Sequence, residues 1–260
     1  VGLVLSEDEV AMFERDGFVP IPGAVPADVI AECQAEVDES LRARDVDPEQ
    51  PSTWRDPVVR LDCPWTPAYR AAGTQPVLWE AYDQLIGPQR WVRTPGVGGT
   101  IPVRLPHPDD PGDAGWHVDG SFVLDGVYGL DLTSRERGLL ALFLLTDVGE
   151  QDAPTELKVS SHLDLPRVLE RFGDRGGTFL EVAMAFPPSV EERPSAFATG
   201  EAGDVFLCHP FLVHRATWPH TGIRPRAIAQ PAIATHEPFR LDGTDPSPVA
   251  RAIVAGLTAG

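Results

Sequence analysis

A chain of 260 residues with 42% hydrophobic content has enough material for a core that needs no disulfide or metal staple. Its net charge of −18 disfavours binding to phosphate backbones or anionic lipid, and no apolar run approaches the roughly 20 residues of a bilayer-spanning helix. Neither nucleic acid nor membrane is therefore an expected partner.

The acidic excess reads first as a solubility device; a cationic small molecule such as an amine or aminosugar is the sharper alternative. Residues 1–7 lack the basic region and small-residue cleavage site of a signal peptide. Cys33, Cys63 and Cys208 are an odd number without metal-type spacing. They suit free buried thiols in a reducing compartment, so a cytoplasmic location is expected.

In chain order, Ser6 and Glu9 have capping-box spacing, Val10 and Phe13 share a face, and Gly17 supplies a stop, which predicts a first helix. Residues 18–21 read as extended. A second helix starts at Pro26, with Val29, Cys33, Val37 and Leu41 as its apolar stripe. Residues 45–67, rich in Pro, Asp and Arg, read as irregular, and a third helix is predicted over 74–86. After Gly87 short apolar runs alternate with Gly, Pro and Asp. Strands are predicted at 91–93, 100–105, 116–119, 139–146, 177–184, 204–208 and 226–233, with a helical insert at 164–172. The expectation is a mainly β fold with flanking helices in a single domain, 1–260. Residues 1–87 would form a helical support, 88–235 an antiparallel barrel or sandwich, and 236–260 a C-terminal extension.

The chemistry concentrates in Gly-Trp-His-Val-Asp-Gly at 115–120. In a strand, residues two apart share a face, so His117 and Asp119 project together and Val118 points away. An imidazole beside a carboxylate supplies two members of the facial triad that holds Fe(II) with positions left open. Downstream, a turn and an apolar strand lead to His214, and twelve residues later Arg226 opens another apolar strand. A guanidinium facing into a barrel needs an anion, and its planar fork fits a carboxylate. An internal ion pair to one of the many acids is the plainer account of Arg226. A dicarboxylate chelating iron at one end and meeting the arginine at the other satisfies both demands.

With these motifs in this order, the chain resembles the phytanoyl-CoA dioxygenase-like branch of the Fe(II)/2-oxoglutarate oxygenases. The likeness covers nearly the whole length. Residues 5–21 are similar to the family's N-terminal helix and its Gly-Phe turn, and 115–120 to the proximal metal motif. Residues 146–155, followed by Ser-Ser-His at 160–162, are similar to a turn and a Gly-Ser-His strand end, with Ser160 in place of the usual glycine. His214 matches the distal ligand, and Pro225-Arg226-Ala227 the co-substrate arginine. The resemblance implies a double-stranded β-helix, the cupin-like jelly roll, with His117, Asp119 and His214 as metal ligands and Arg226 on 2-oxoglutarate. Arg224, two residues earlier, is the alternative anchor, and Thr155 a candidate second contact that also suits a turn cap.

The implied cofactors are Fe(II), 2-oxoglutarate and O2, with succinate and CO2 as co-products of oxidising an unactivated C–H bond. Related halogenases carry a small residue where Asp119 stands, so a carboxylate there implies hydroxylation, desaturation or ring formation. The partner is a small-molecule substrate, plausibly in secondary metabolism, and the protein a monomer or homodimer. Arg104, His107, Phe122, Trp218 and His220 are substrate-pocket candidates through nearness in sequence. The loops at 45–75, 104–115, 121–137 and 186–200 are expected to shape that pocket. His209, five residues before His214, should face the opposite way, and His162 is expected to be structural. The rival readings are a non-redox metal-dependent jelly-roll isomerase or hydrolase, and a non-catalytic β-sandwich binding protein.

Overall fold

The first helix, α1 (Glu7–Asp16), is defined by its ends. The Glu9 amide donates to Ser6 Oγ while the Ser6 amide donates back to Glu9 Oε2, and Gly17 closes the helix at φ 90°. Strand β1 (Phe18–Ile21) leads into α2 (Ala27–Arg42), whose buried stripe is Ile30, Cys33, Val37 and Leu41. Val29 sits at its margin, where the repeat had placed it in the stripe. The computed structural model describes residues 3–258. Val1 and Gly2, where the reading of a missing signal peptide begins, lie outside the described residues.

The stretch expected to be irregular, 45–67, contains β2 (Val58–Asp62). Only Leu61 of β2 is buried, so an edge strand left almost no apolar pattern. The third predicted helix is α4 (Pro76–Leu85), and a further helix, α3 (Pro67–Gly73), precedes it, each with proline at its start. Residues 91–93 form only a bridge, Trp91 to Thr235, rather than a strand. Then follow β3 (Thr100–Arg104), β4 (Phe122–Leu124), β5 (Val127–Leu130) and β6 (Leu139–Leu144). The β4–β5 hairpin lies inside a segment expected to be loop. Asp125 and Gly126, at φ 53° and 83°, make the tight turn whose twist matches paired strands.

The second half contains β7 (Glu156–Lys158), α5 (Leu165–Glu170) and β8 (Gly177–Thr178). The predicted strand 177–184 is overturned after two residues by α6 (Phe179–Met184). Thr178 Oγ1 accepts from the Glu181 amide and Glu181 Oε2 from the Thr178 amide, a complete capping box. After α7 (Pro188–Glu192) come β9 (Ser195–Phe197), β10 (Val205–Cys208), β11 (His214–Arg215), β12 (Arg226–Ala229) and β13 (Ala232–Ile233). Helix α8 (Pro248–Thr258) fills the C-terminal segment and packs on α1 and α5.

The strand pairs are antiparallel throughout. The large sheet runs β1-β10-β6-β12-β3-β2 with β13 also on β6, so two of its strands come from the part expected to be helical support. A small sheet, β11-β7-β9, lies against its inner face, and β4-β5-β8 forms a third. Strand β6 is buried on both faces, which is why its sequence reads as one apolar run. Leu140, Leu142 and Leu144 meet Leu157, Phe206, Cys208 and Ile228 between the sheets, while Leu139, Ala141 and Phe143 join the helical core. The result is the expected jelly roll with flanking helices. All three cysteines are free and buried, and burial pushes the Cys33 and Cys63 thiols up to about 12. Among the described residues, no helix is long and apolar enough to cross a membrane.

Candidate metal centre and co-substrate cavity

Residues 116–119 do not form the predicted strand; they make a single bridge. The His117 amide donates to the His214 carbonyl at 3.0 Å and the His214 amide returns the bond at 2.9 Å. This exchange extends the small sheet by one residue and sets the two imidazoles side by side, ring centres 4.4 Å apart. Alternation still holds locally, because Val118 is buried in the core.

The ring nitrogens are sorted by the backbone. His117 Nδ1 lies 2.8 Å from the Gly115 carbonyl and His214 Nδ1 3.0 Å from that of Leu212. A carbonyl only accepts, so each Nδ1 carries the proton and each Nε2 keeps its lone pair. Both Nε2 atoms face Asp119 Oδ1, at 3.8 and 3.9 Å. The ligand atoms of His117, Asp119 and His214 all lie within 4.8 Å of one another. Two imidazoles with oriented Nδ1 protons and one carboxylate are the donor set that Fe(II) takes while leaving coordination positions open. Burial, helped by His117 and opposed by Asp119, brings His214 down to about 4, so it is neutral near pH 7. Burial alone would raise the Asp119 carboxyl. His214, Arg137 and His117 outweigh it and hold that carboxyl below its ordinary range.

Arg137 had no signal in the sequence. Its Nη1 donates to Asp119 Oδ2 at 3.2 Å and its Nη2 to the Gly120 carbonyl at 2.8 Å. One carboxylate oxygen thus faces the histidines and the other faces a guanidinium.

Behind the triad lies a cavity of about 180 Å³, lined among others by His117, His214, Thr155, Arg60, Arg104 and Arg226. Arg226 shares strand parity with Ile228, which packs between the sheets, so its side chain points inward, and it is 1% exposed. It donates to the carbonyls of Asp152 and Ala153 and, among the described residues, forms no ion pair with a carboxylate. Burial, then repulsion from Arg104, brings its guanidinium down to about 9. Arg104 faces Arg226 in register, and Asp113 bridges Arg104 at 2.7 Å to Arg60. Three guanidiniums and one carboxylate therefore line a space fit for a small dianion. Arg224 is exposed and lines a different depression.

Of the other sequence candidates, Thr155 and Arg104 line the cavity. The His107 amide donates to the carbonyl of His220, and the buried His220 keeps its Nε2 without a partner. Phe122 is buried beneath the Arg135 guanidinium, 3.8 Å from its ring centre. Trp218 is half exposed and lines neither the cavity nor the triad. His209 and His162 lie against each other, ring centres 4.8 Å apart and tilted by 46°, buried in the fold.

A family model, phytanoyl-CoA dioxygenase (PhyH), matches residues 13–227. The chain belongs to the phytanoyl-CoA dioxygenase family. As a member it is an Fe(II)- and 2-oxoglutarate-dependent enzyme. No curated protein matches the chain significantly. Among solved structures, this PhyH-family protein is similar to the non-heme alpha ketoglutarate dependent carbocyclase SnoK from nogalamycin biosynthesis. They share 21% identity at a TM-score of 0.63, over 92% of this chain and 89% of SnoK. The epimerase SnoN of the same biosynthesis gives 23% and 0.58, covering 86% and 80%. HygX from Streptomyces hygroscopicus, with nickel and 2-oxoglutarate bound, gives 18% and 0.57, covering 87% and 85%. At these identities the likeness carries the fold, and the site rests on the chain's own residues.

Proposed function

We propose that the protein hydroxylates a small organic molecule at an unactivated C–H bond, with His117, Asp119 and His214 holding Fe(II) and Arg226 holding 2-oxoglutarate. The observation that carries this reading is the shared cavity. A buried guanidinium in no ion pair with a carboxylate among the described residues and the two histidines of a three-ligand cluster line the same space.

When bound, iron and 2-oxoglutarate supply the activation of O2; overall, substrate, 2-oxo acid and O2 become hydroxylated product, succinate and CO2. The chain's own residues do the positioning. The Gly115 and Leu212 carbonyls hold both Nε2 atoms toward one point. Arg137 engages Oδ2 of Asp119, so this carboxylate offers the metal one oxygen and leaves positions for the co-substrate. Arg226, with Arg104 beside it and Thr155 nearby, receives the far carboxylate of 2-oxoglutarate. Asp119 supports hydroxylation over halogenation, because its carboxylate fills the position a halide would take.

SnoK and SnoN act in nogalamycin biosynthesis as a carbocyclase and an epimerase, and HygX has been solved with hygromycin B bound. Those relatives support a role in the tailoring of a secondary metabolite, and they make the outcome itself the thing to test. The experiment is substrate-stimulated succinate release over a compound panel, with product mass spectrometry. Gain of one oxygen atom supports hydroxylation. Loss of two hydrogens or an unchanged mass replaces it with desaturation, ring closure or epimerisation. A protein that takes up no Fe(II) at all would end the whole proposal.

A further inference from the structure

The triad is flanked on two sides, and only one of them is polar. Behind it lies the arginine-lined cavity; in front, the third sheet and α6 hold most of the exposed large apolar side chains of the described residues. Val123, Tyr128, Leu180 and Met184 are 69%, 65%, 64% and 80% exposed, and Phe179 is 39% exposed. Such a concentration on one small unit calls for a partner, whereas scattered apolar side chains do not.

Register explains the grouping. Val123 pairs with Tyr128 across β4 and β5, and Gly129 pairs with Thr178 across β5 and β8. Phe179 follows Thr178 directly and opens α6, which packs on β5, so it lies next to the Val123–Tyr128 pair and the three make a short row. Leu180 and Met184, one helical turn apart, are exposed on the outer face of the same helix, opposite the buried Val182. The opposite face of the hairpin carries Phe122, which is buried, and at the turn end Val127, which is exposed.

The open row ends on the metal centre. The Phe179 ring lies 5.6 Å from that of His117. Gly120, next to Asp119, passes so close to Tyr128 that a side-chain carbon there would fall 2.6 Å from the Tyr128 Cβ. The triad is also partly open to solvent. The side chains of His117 and Asp119 are 22% and 33% exposed, while that of His214 is 8% exposed.

We propose that this row is the substrate platform, and that its occupant is a flat, largely apolar ring system lying over Tyr128 and Phe179 with one edge at the triad. The inference rests on the metal and co-substrate reading above and names the substrate class for that site. Aromatic side chains give a flat ligand stacked or edge contacts beyond the area they bury. The row offers a single hydrogen-bonding group, the Tyr128 hydroxyl, so a polyhydroxylated molecule would leave its polar atoms without partners. A second copy of the chain fits less well. A stable dimer needs on the order of 800 Å² from each partner, and five side chains over one short row supply a fraction of that.

The test uses 9-anthracenemethanol, a neutral fluorescent fused-ring alcohol with no charge for the arginine cavity to hold. Its anisotropy is titrated against the Fe(II)- and 2-oxoglutarate-loaded enzyme kept anaerobic. The unsubstituted protein and Ile223→Ser, an exposed apolar site elsewhere on the surface, should bind it alike. Tyr128→Ser combined with Leu180→Ser should weaken binding about tenfold or more. Equal affinity in all three, no binding to the unsubstituted protein, or a dimer in sedimentation that the double variant dissolves would each overturn the platform. The weak visible charge-transfer absorption of the Fe(II)–2-oxoglutarate complex is read on the same samples. Its absence from the unsubstituted protein would remove the underlying reading, while its presence without dependence on Tyr128 and Leu180 would remove the platform alone.

Discussion

Two pairs of histidines lie with their rings in tilted contact. His117 and His214 lie 4.4 Å apart at the mouth of the jelly roll, and His162 and His209 lie 4.8 Å apart in its interior. In the interior pair the backbone claims both Nε2 atoms: His162 at the Glu14 carbonyl, 3.0 Å, and His209 at that of Val249, 3.3 Å. In the outer pair the backbone takes both Nδ1 atoms and leaves both Nε2 atoms facing Asp119. What separates a ligand pair from a packing pair is thus which nitrogen the backbone consumes and whether a carboxylate completes the set.

The largest expected effect follows directly. Replacing His117, Asp119 or His214 with Ala should abolish stoichiometric Fe(II) binding, measured by metal analysis after anaerobic loading, while the urea midpoint stays close to that of the parent. His162→Ala or His209→Ala should do the reverse. Each leaves a cavity in a filled interior, at a cost of about 2–4 kcal/mol, with metal stoichiometry retained in the folded fraction. If an interior variant lost metal with its stability intact, the contrast between the pairs would fail.

Arg226→Met should come next. Removing the partner of a bound carboxylate costs about 2–5 kcal/mol, which predicts a rise of about thirtyfold or more in the 2-oxoglutarate requirement. Arg224→Met, on the exposed side, should leave that requirement unchanged. Equal effects from the two would move the anchor out of the cavity.

The interior pair also makes a pH prediction. Burial brings His162 down to about 4, and burial together with His162 pushes His209 down in the same direction. An unfolded histidine titrates near 6.5, so below that pH the unfolded chain binds a proton that the folded chain refuses, and stability falls as pH drops. His162 alone should cost about 2 kcal/mol between pH 7 and pH 5. Urea midpoints measured at both values check this, and His162→Gln should flatten the slope. A slope unchanged in that variant would place the proton uptake elsewhere.

The features legible in the sequence were those that short range determines. The capping box of Ser6 and Glu9 and the stop at Gly17 were readable because each involves neighbours. The orientation of His117 and Asp119 followed from parity, and Val118 is buried as that parity requires, although one bridge replaces the strand. The strand predicted at 177–184 failed although Thr178 and Glu181 carried a helix start, because apolar residues along the run masked it. Asp125–Gly126 likewise carried the signal of the hairpin that pairs β4 with β5, inside a segment read as loop. Arg137 was beyond reach: it lies 18 residues from Asp119, and only tertiary folding joins them.

Arg137 gives the smallest and most discriminating prediction, because it acts on the carboxylate that the interior pair lacks. With His117, Asp119 and His214 holding iron, the metal would supply the O2 chemistry, and a second Asp119 oxygen would compete with the co-substrate for it. By donating to Oδ2, Arg137 holds that oxygen away and adds positive charge beside the site. Arg137→Ala should therefore change metal affinity by about 10–100-fold, as loss of an outer partner commonly does. It should also weaken 2-oxoglutarate binding to the loaded enzyme and alter its visible absorption. Arg137→Lys, with one donor head in place of a fork, should restore the charge without the Gly120 contact, so its absorption should fall between those of the parent and the Ala variant. Parental affinity and an unaltered spectrum in Arg137→Ala would mean that Asp119 is oriented by the backbone alone.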